Sequence, residues 1–273
     1  MSIEGLKFLV TGGGSGIGAA TASMVASRGA SVLVADINDA NGEALVEEIR
    51  QAGGEAYYQH CDVSDEAQVQ ELMRVAEQSL GGLDVLHNNA GIHETMLGEG
   101  LTLETMSRET FERVLGVNLV GSWMCAKYAL PMLKNSTNAS ILNAGSTGSI
   151  TGYEHSLAYG SSKGGIALLT KNLAVDLAPH SIRVNCYCPG TVKTQMVEDF
   201  IAASEDADIL VSPETLTHLV PRLGETHEVA ELVCFLASNQ SSFVNGVVWL
   251  IDGGSLAWRG TIDSLGMKGV LSD

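Results

Sequence analysis

Short apolar runs rich in β-branched residues alternate along the chain with longer stretches in which apolar positions recur at helical spacing. The runs at 6–10, 31–35, 56–60, 83–88, 140–143, 182–187 and 247–251 are predicted strands. Between them, 18–28, 40–51, 65–80, 107–133, 156–177 and 226–237 are predicted helices. Strands apolar on both faces and separated by helices indicate a parallel sheet, because each parallel connection needs a crossover and the crossover helices cover both faces. The expected fold class is therefore α/β: a doubly wound, seven-stranded parallel sheet with helices on both faces. No repeat, low-complexity tract or linker interrupts residues 1–273, which are expected to form a single domain. The pattern breaks up over 191–221, punctuated by Pro213 and Pro221, and this segment is expected to be a substrate loop or lid.

Charge and cysteine usage narrow the function classes. The 273 residues carry 15 Lys+Arg against 32 Asp+Glu, a formal net charge of −17, which repels phosphate backbones and argues against a nucleic-acid partner. No stretch reaches the roughly 18 apolar residues of a membrane span, and 1–10 is too short and too charged for a secretory leader. The five cysteines, Cys61, Cys125, Cys186, Cys188 and Cys234, are odd in number and contain no C-x-x-C pair, so neither a disulfide framework nor a metal site is expected. A reducing, cytoplasmic setting follows.

Thr11-Gly12-Gly13-Gly14-Ser15-Gly16-Ile17-Gly18 follows the first predicted strand and opens the first helix. Glycines there let the backbone approach a pyrophosphate that faces the helix amides and dipole. Asp36 ends the second strand 18 residues beyond Gly18, near the roughly 20 expected for a carboxylate on the adenosine ribose. It would repel the additional phosphate of NADP, and neither Ser15 nor Ile37 offers a cation, so the predicted cofactor is NAD.

Tyr159 and Lys163 stand four apart in a predicted helix and project from one face. An ammonium and an oxidised nicotinamide beside a phenol would favour phenolate, a base for an alcohol proton. Ser146 follows the fifth strand, 13 residues before Tyr159. Its hydroxyl suits an oxygen clamp, and its Gly-rich surroundings equally suit a plain turn.

Taken together, these residues resemble the short-chain dehydrogenase/reductase superfamily over essentially the whole chain from Leu6 to Gly254, in the NAD-preferring, single-domain, Rossmann-type branch. Thr11 to Gly18 is similar to T-G-x-x-x-G-x-G, Asn88-Asn89-Ala90-Gly91 to N-N-A-G, and Pro189-Gly190 with Thr194 to P-G-x-x-x-T. Asn118, Ser146, Tyr159 and Lys163 match the catalytic tetrad. The resemblance implies cofactor contacts from Gly12, Ser15, Gly16, Ile17, Gly18, Asp36, Ile37, Asp62, Val63, Asn89, Ala90, Gly91, Tyr159, Lys163, Pro189, Gly190, Val192 and Thr194. It further implies that Tyr159 moves the hydroxyl proton, Lys163 lowers its pKa and binds ribose, Ser146 orients the substrate oxygen, and Asn118 holds a water linked to Lys163. Homo-oligomers, tetramers or dimers, are also implied.

Three departures stand out. Cys188 replaces the Asn usual before Pro189, putting local hydrogen bonding there in doubt, and Cys186 and Cys188 share one strand face, read as small apolar residues. The interval from Gly91 to Asn118 is long, and its 94–100 portion is expected to border the substrate mouth or to elaborate the surface. The tail, 255–273, exceeds what the family needs.

Between Gln195 and Pro221 lie six acids, Glu198, Asp199, Glu205, Asp206, Asp208 and Glu214, without Lys or Arg. An anionic or acidic-carrier substrate would be repelled there, so a neutral, apolar or cyclic secondary alcohol or ketone is the expected small-molecule substrate, unless the acids merely coat a solvent face. Rival readings are a 3-oxoacyl carrier-protein reductase, a non-catalytic dinucleotide-sensing protein, and a sugar-nucleotide epimerase or dehydratase. If the tail crosses a subunit interface, truncation after Ser255 will change the assembly mass in light scattering; an unchanged mass removes that role.

Overall fold

Each apolar run becomes a strand and each amphipathic stretch a crossover helix. The computed structural model describes residues 3–98, 101–202 and 218–258. In chain order the elements are β1 (Lys7–Thr11), α1 (Gly16–Ser27), β2 (Ser31–Asp36), α2 (Asp39–Gln51), β3 (Glu55–His60), α3 (Glu66–Leu80) and β4 (Val85–Asn88). There follow α4 (Arg108–Leu115), a π-helical turn (Gly116–Gly121), α5 (Ser122–Leu133), β5 (Ser140–Ala144), α6 (Leu157–Asp176) and β6 (Arg183–Pro189). Last come α7 (Gln195–Ala202), α8 (Thr226–Ala237) and β7 (Val248–Ile251).

Local chemistry sets the boundaries. Asn38 caps α2 through Asn41 N–H, and Asp65 caps α3 through the N–H groups of Ala67 and Gln68. Gly81, at φ +66°, ends α3 in the left-handed conformation.

The seven strands form one parallel sheet in the order β3-β2-β1-β4-β5-β6-β7. Alternation along β1 sends Phe8 and Val10 to one face and Leu9 to the other; along β2, Val32 and Val34 oppose Leu33 and Ala35. One face packs on α1, α2 and α8 through residues such as Val25, Ile49 and Val233, and the other on α3 and α5 through Leu72, Cys125 and Leu133. The order reverses between β1 and β4, where Thr11 pairs with Ala35 on one side and Asn88 on the other. Chains leaving such a point diverge to opposite faces and leave a crevice beyond the strand ends.

The observed strands correspond to the predicted ones with small shifts at their ends. Two departures have physical causes. The predicted helix 107–133 is divided by the π turn, whose wider hydrogen bonding accommodates an extra residue without stopping the helix. The predicted irregular segment 191–221 contains the eight-residue helix Gln195–Ala202, too short for its periodicity to stand out. Residues 203–217 of that segment and 259–273 of the tail lie outside the described residues. Among the described residues, no helix is long and apolar enough to cross a membrane, and no cluster of His, Cys, Asp or Glu could hold a metal. The five cysteines are free and buried.

A buried polar chain fastens β4, β5 and α6: Asn88 Nδ2 donates to Asn143 Oδ1 at 2.9 Å, and Asn143 Nδ2 donates to Thr170 Oγ1 at 3.0 Å. Replacing Asn143 by Leu removes both bonds and leaves Asn88 Nδ2 with only its longer bond to Ser122 O at 3.2 Å. Urea unfolding is expected to show a loss of about 2–4 kcal/mol; a loss below about 1 kcal/mol would assign the network little stabilising role.

Candidate active site

A cleft of about 310 Å³ opens beyond the C-terminal strand ends. Its first wall is the glycine turn. Gly12, at φ +60°, passes so near the chain after β4 that a Cβ would lie 2.7 Å from Ala90 Cα. At Gly18 a Cβ would lie 2.1 Å from Gly12 O, so this residue packs the turn from behind while Gly12, Ser15, Gly16 and Ile17 line the cleft. Ser15, preceding α1, makes no side-chain capping bond. The first amides of α1 can therefore receive an anionic group.

Asp36 and Ile37 line the next part of the cleft. Asp36 Oδ2 accepts Gly14 N–H at 2.8 Å and Oδ1 accepts Asn38 N–H at 2.9 Å, fixing the carboxylate. Beyond it, Asp62 accepts from Ser64 N and Oγ at 2.9 and 2.6 Å and from Arg113 at 3.0 Å. Burial raises Asp62, but the bonds from Ser64 and Arg113 outweigh it and hold the carboxyl below its ordinary range. Val63 and Arg113 share this lining. Arg113 escaped the sequence reading because its partner Asp62 is 51 residues away.

After β4, Asn89 Nδ2 donates to Thr11 O and Gly12 O at 3.2 and 2.8 Å, while Thr11 Oγ1 accepts the N–H groups of Asn89 and Ala90 at 3.1 and 3.2 Å. Asn89, Ala90 and Gly91 line the cleft, and Gly91 backs onto Asn118 and Lys163. The π turn carries Asn118, which is buried behind the cleft. Its Oδ1 accepts Ile92 N–H at 2.8 Å, and its Nδ2 donates to Ile92 O at 3.0 Å and Ser162 Oγ at 2.9 Å.

Ser146, Tyr159 and Lys163 converge on the cleft floor. Ser146 Oγ accepts Gly148 N–H at 3.0 Å, so it is both a turn cap and a lining group. Lys163 Nζ donates to Ala144 O at 2.7 Å and stands 5.6 Å from the Tyr159 ring centroid. Burial pushes Lys163 down to about 8, with Cys186 and Cys188 opposing. Burial raises the Tyr159 phenol, a hydrogen bond with Ser146 draws it down, and Cys188, Glu94 and Tyr153 raise it further. The net shift of the phenol is upward and that of the ammonium downward because desolvation is the largest cause for both groups.

Pro189, Gly190, Val192 and Thr194 complete the lining. Val192 bridges to Gly224, and His218 accepts Thr191 N–H at 3.3 Å while its other ring nitrogen meets Arg222 O at 2.8 Å, joining the two ends of 191–221. Cys186 and Cys188 share a face as predicted, with Sγ atoms 3.8 Å apart, buried with Ile166. In that turn Gly145 N–H still reaches Tyr187 O at 2.8 Å.

Of the 94–100 portion, Met96 lines the cleft. Glu94 instead turns inward and is fully buried, a position the sequence reading did not foresee; 99–100 lie outside the described residues.

The sequence model of a family described as Enoyl-(Acyl carrier protein) reductase matches residues 12–255. The chain is similar to a 2,5-dichloro-2,5-cyclohexadiene-1,4-diol dehydrogenase of Sphingobium indicum, 38% identical over 256 residues, 93% of this chain and 98% of the relative. It is also similar to the 3-oxoacyl-[acyl-carrier-protein] reductase FabG of Thermotoga maritima, 36% identical, covering 93% and 99%. The crystal structure of levodione reductase superposes with a TM-score of 0.84 at 32% identity, covering 93% of this chain and 98% of that one. Motif order, sheet topology and these likenesses agree: the chain belongs to the short-chain dehydrogenase/reductase family of oxidoreductases.

Proposed function

We propose that this protein is an NAD-dependent oxidoreductase that interconverts a neutral, apolar or cyclic secondary alcohol and its ketone. The observation that carries the reading is the convergence of Ser146, Tyr159 and Lys163 at one end of a cleft whose other end holds the fixed Asp36 carboxylate. The glycine turn fits a pyrophosphate, since Gly12, Ser15, Gly16 and Ile17 line the cleft and no side chain caps the first amides of α1. Asp36 accepts the adenosine ribose hydroxyls. The cations among the described lining residues are Arg113, held by Asp62, and Lys163 at the opposite end, so the rim by Asp36 and Ile37 offers no partner for a 2′-phosphate.

A bound oxidised nicotinamide supplies positive charge beside Tyr159 and a hydride acceptor for the carbinol carbon. Tyr159 Oη then takes the hydroxyl proton, and Ser146 Oγ holds the oxygen as charge develops. Lys163 binds the ribose and passes the proton to bulk solvent through a water held by Asn118. Val192 and Thr194 hold the carboxamide. Ile92, Met96, Met196 and Val197 give the cleft apolar walls suited to a ring or hydrocarbon.

Discrimination between a cyclic alcohol and a carrier-bound acyl chain rests on charge, because the two relatives differ little in identity. A net charge of −17 disfavours docking of an acidic carrier. Buried free thiols support a reducing, cytoplasmic setting. Leu168 and Val175, exposed along α6, support a homo-oligomer, a tetramer or dimer.

Tyr159→Phe is expected to bind NAD normally while turnover on cyclic secondary alcohols falls about 10²–10⁴-fold; near-normal turnover would exclude Tyr159 as the base. Asp36→Ala should shrink the NAD/NADP preference in paired kcat/KM measurements, and an unchanged ratio would remove Asp36 from the ribose. Wild-type preference for NADPH with a carrier-bound 3-oxoacyl substrate would favour the reductase reading.

Lys163 gives a stability prediction of definite sign. Its folded pKa, about 8, lies below lysine's ordinary 10.5, so the unfolded chain binds more protons between these values. The penalty is fully present below pH 8 and is relieved as pH rises towards 10.5. Lys163→Met removes it but also loses the bond to Ala144, for a net gain of about 2 kcal/mol at neutral pH. Denaturant unfolding without NAD should show this gain, and a less stable variant would contradict it.

A further inference from the structure

We propose that Glu94 is a positioning residue for Tyr159: from a short turn after β4, its buried carboxylate grips the first turn of α6 and sets where the phenol stands. This rests on the reading of Tyr159 as the proton-transfer group. Glu94 Oε1 accepts Ala158 N–H and Oε2 accepts Tyr159 N–H, each at 3.0 Å, and the residue is fully excluded from solvent. These second and third amides of α6 are the ones an N-cap side chain ordinarily satisfies.

Ser156, in the capping position, makes no such bond; its hydroxyl engages Glu154 O and His93 Nε2, each at 3.1 Å. Gly160 N–H is already bonded to Ser156 O at 2.8 Å. Glu94 is thus a cap delivered from 64 residues away, its anion favourably placed at the positive end of the helix.

The residue before it completes the grip. The His93 ring packs against the Tyr159 ring with centroids 4.7 Å apart, and His93 Nδ1 meets Thr95 Oγ1 at 3.0 Å. Consecutive residues of one turn therefore hold Tyr159 by its backbone and its ring. Facing the phenol are Ser146 from the end of β5, Cys188 and Tyr187 from β6, Tyr153 from the loop before α6, Lys163 from α6 itself, and His93 and Glu94. Glu94 is one of the groups that raise the phenol pKa, so it fixes Tyr159 while opposing its ionisation.

Two substitutions separate these effects. Glu94→Asp keeps the charge but withdraws the carboxylate by one methylene; Glu94→Gln keeps the reach but removes the charge. With NAD and a cyclic secondary alcohol, Glu94→Asp is expected to lower kcat about 10-fold or more, with NAD affinity and KM within about twofold. In a tyrosinate absorbance titration without substrate, taken as the difference from the same chain carrying Tyr159→Phe, Glu94→Gln should shift the Tyr159 midpoint down. Glu94→Asp should leave that midpoint nearly unchanged.

Wild-type kcat in Glu94→Asp, or kcat losses that merely track the folded fraction with no midpoint shift in Glu94→Gln, would overturn the proposal. If either variant fails to fold, the other still carries its own measurement. A wild-type protein that turns over no alcohol would refute the functional reading instead, and the titration would still read the Glu94–Tyr159 coupling.

Discussion

The close approach of two backbones at the reversal point of the sheet is the constraint on which the rest depends. Gly12 passes against Ala90, and Thr11 and Asn89 tie the ends of β1 and β4 together from both sides. Only because those strand ends are locked side by side do the glycine turn, Asp36 and the chain carrying Gly91 open onto one cleft. Lys163 then reaches it beside Gly91, with Asn118 packed behind. A side chain at Gly12 would force the strand ends apart before touching any ligand.

Sequence carried most of the architecture because parallel strands are buried on both faces, so each appears as a compact apolar run such as Phe8-Leu9-Val10. The candidate site was readable where its residues lie close in chain, as in Thr11 to Gly18 and the Tyr159–Lys163 pair. What escaped has a common origin. Arg113 on Asp62, Glu94 on the first turn of α6, and His218 across the ends of 191–221 are partnerships between segments with no shared periodicity. The π turn escaped for another reason: one extra residue in a helix leaves the apolar pattern on either side looking continuous.

Desolvation shapes the chemistry and opposes stability. Lys163 and Tyr159 sit where water is excluded, which holds the ammonium down and the phenol up. At neutral pH Lys163 still carries its proton and Tyr159 keeps its own, and the ionisation of the phenol responds to whatever positive group enters beside it. Glu94 adds to this tension, since a carboxylate that anchors the tyrosine backbone also discourages the phenolate.

The stitched ends of 191–221 have an evolutionary consequence. Val192 bridged to Gly224, with His218 joining Thr191 to Arg222, closes the intervening chain into a loop anchored independently of its own contents. Closure entropy grows only with the logarithm of loop length, about 0.6 kcal/mol per doubling. Outside Thr194 to Val197, which line the cleft, insertions and exchanges within that loop therefore weigh little on the fold and do not reach Gly12, Asp36 or Lys163. One redox chassis can in this way be passed from substrate to substrate while its dinucleotide grip is inherited unchanged.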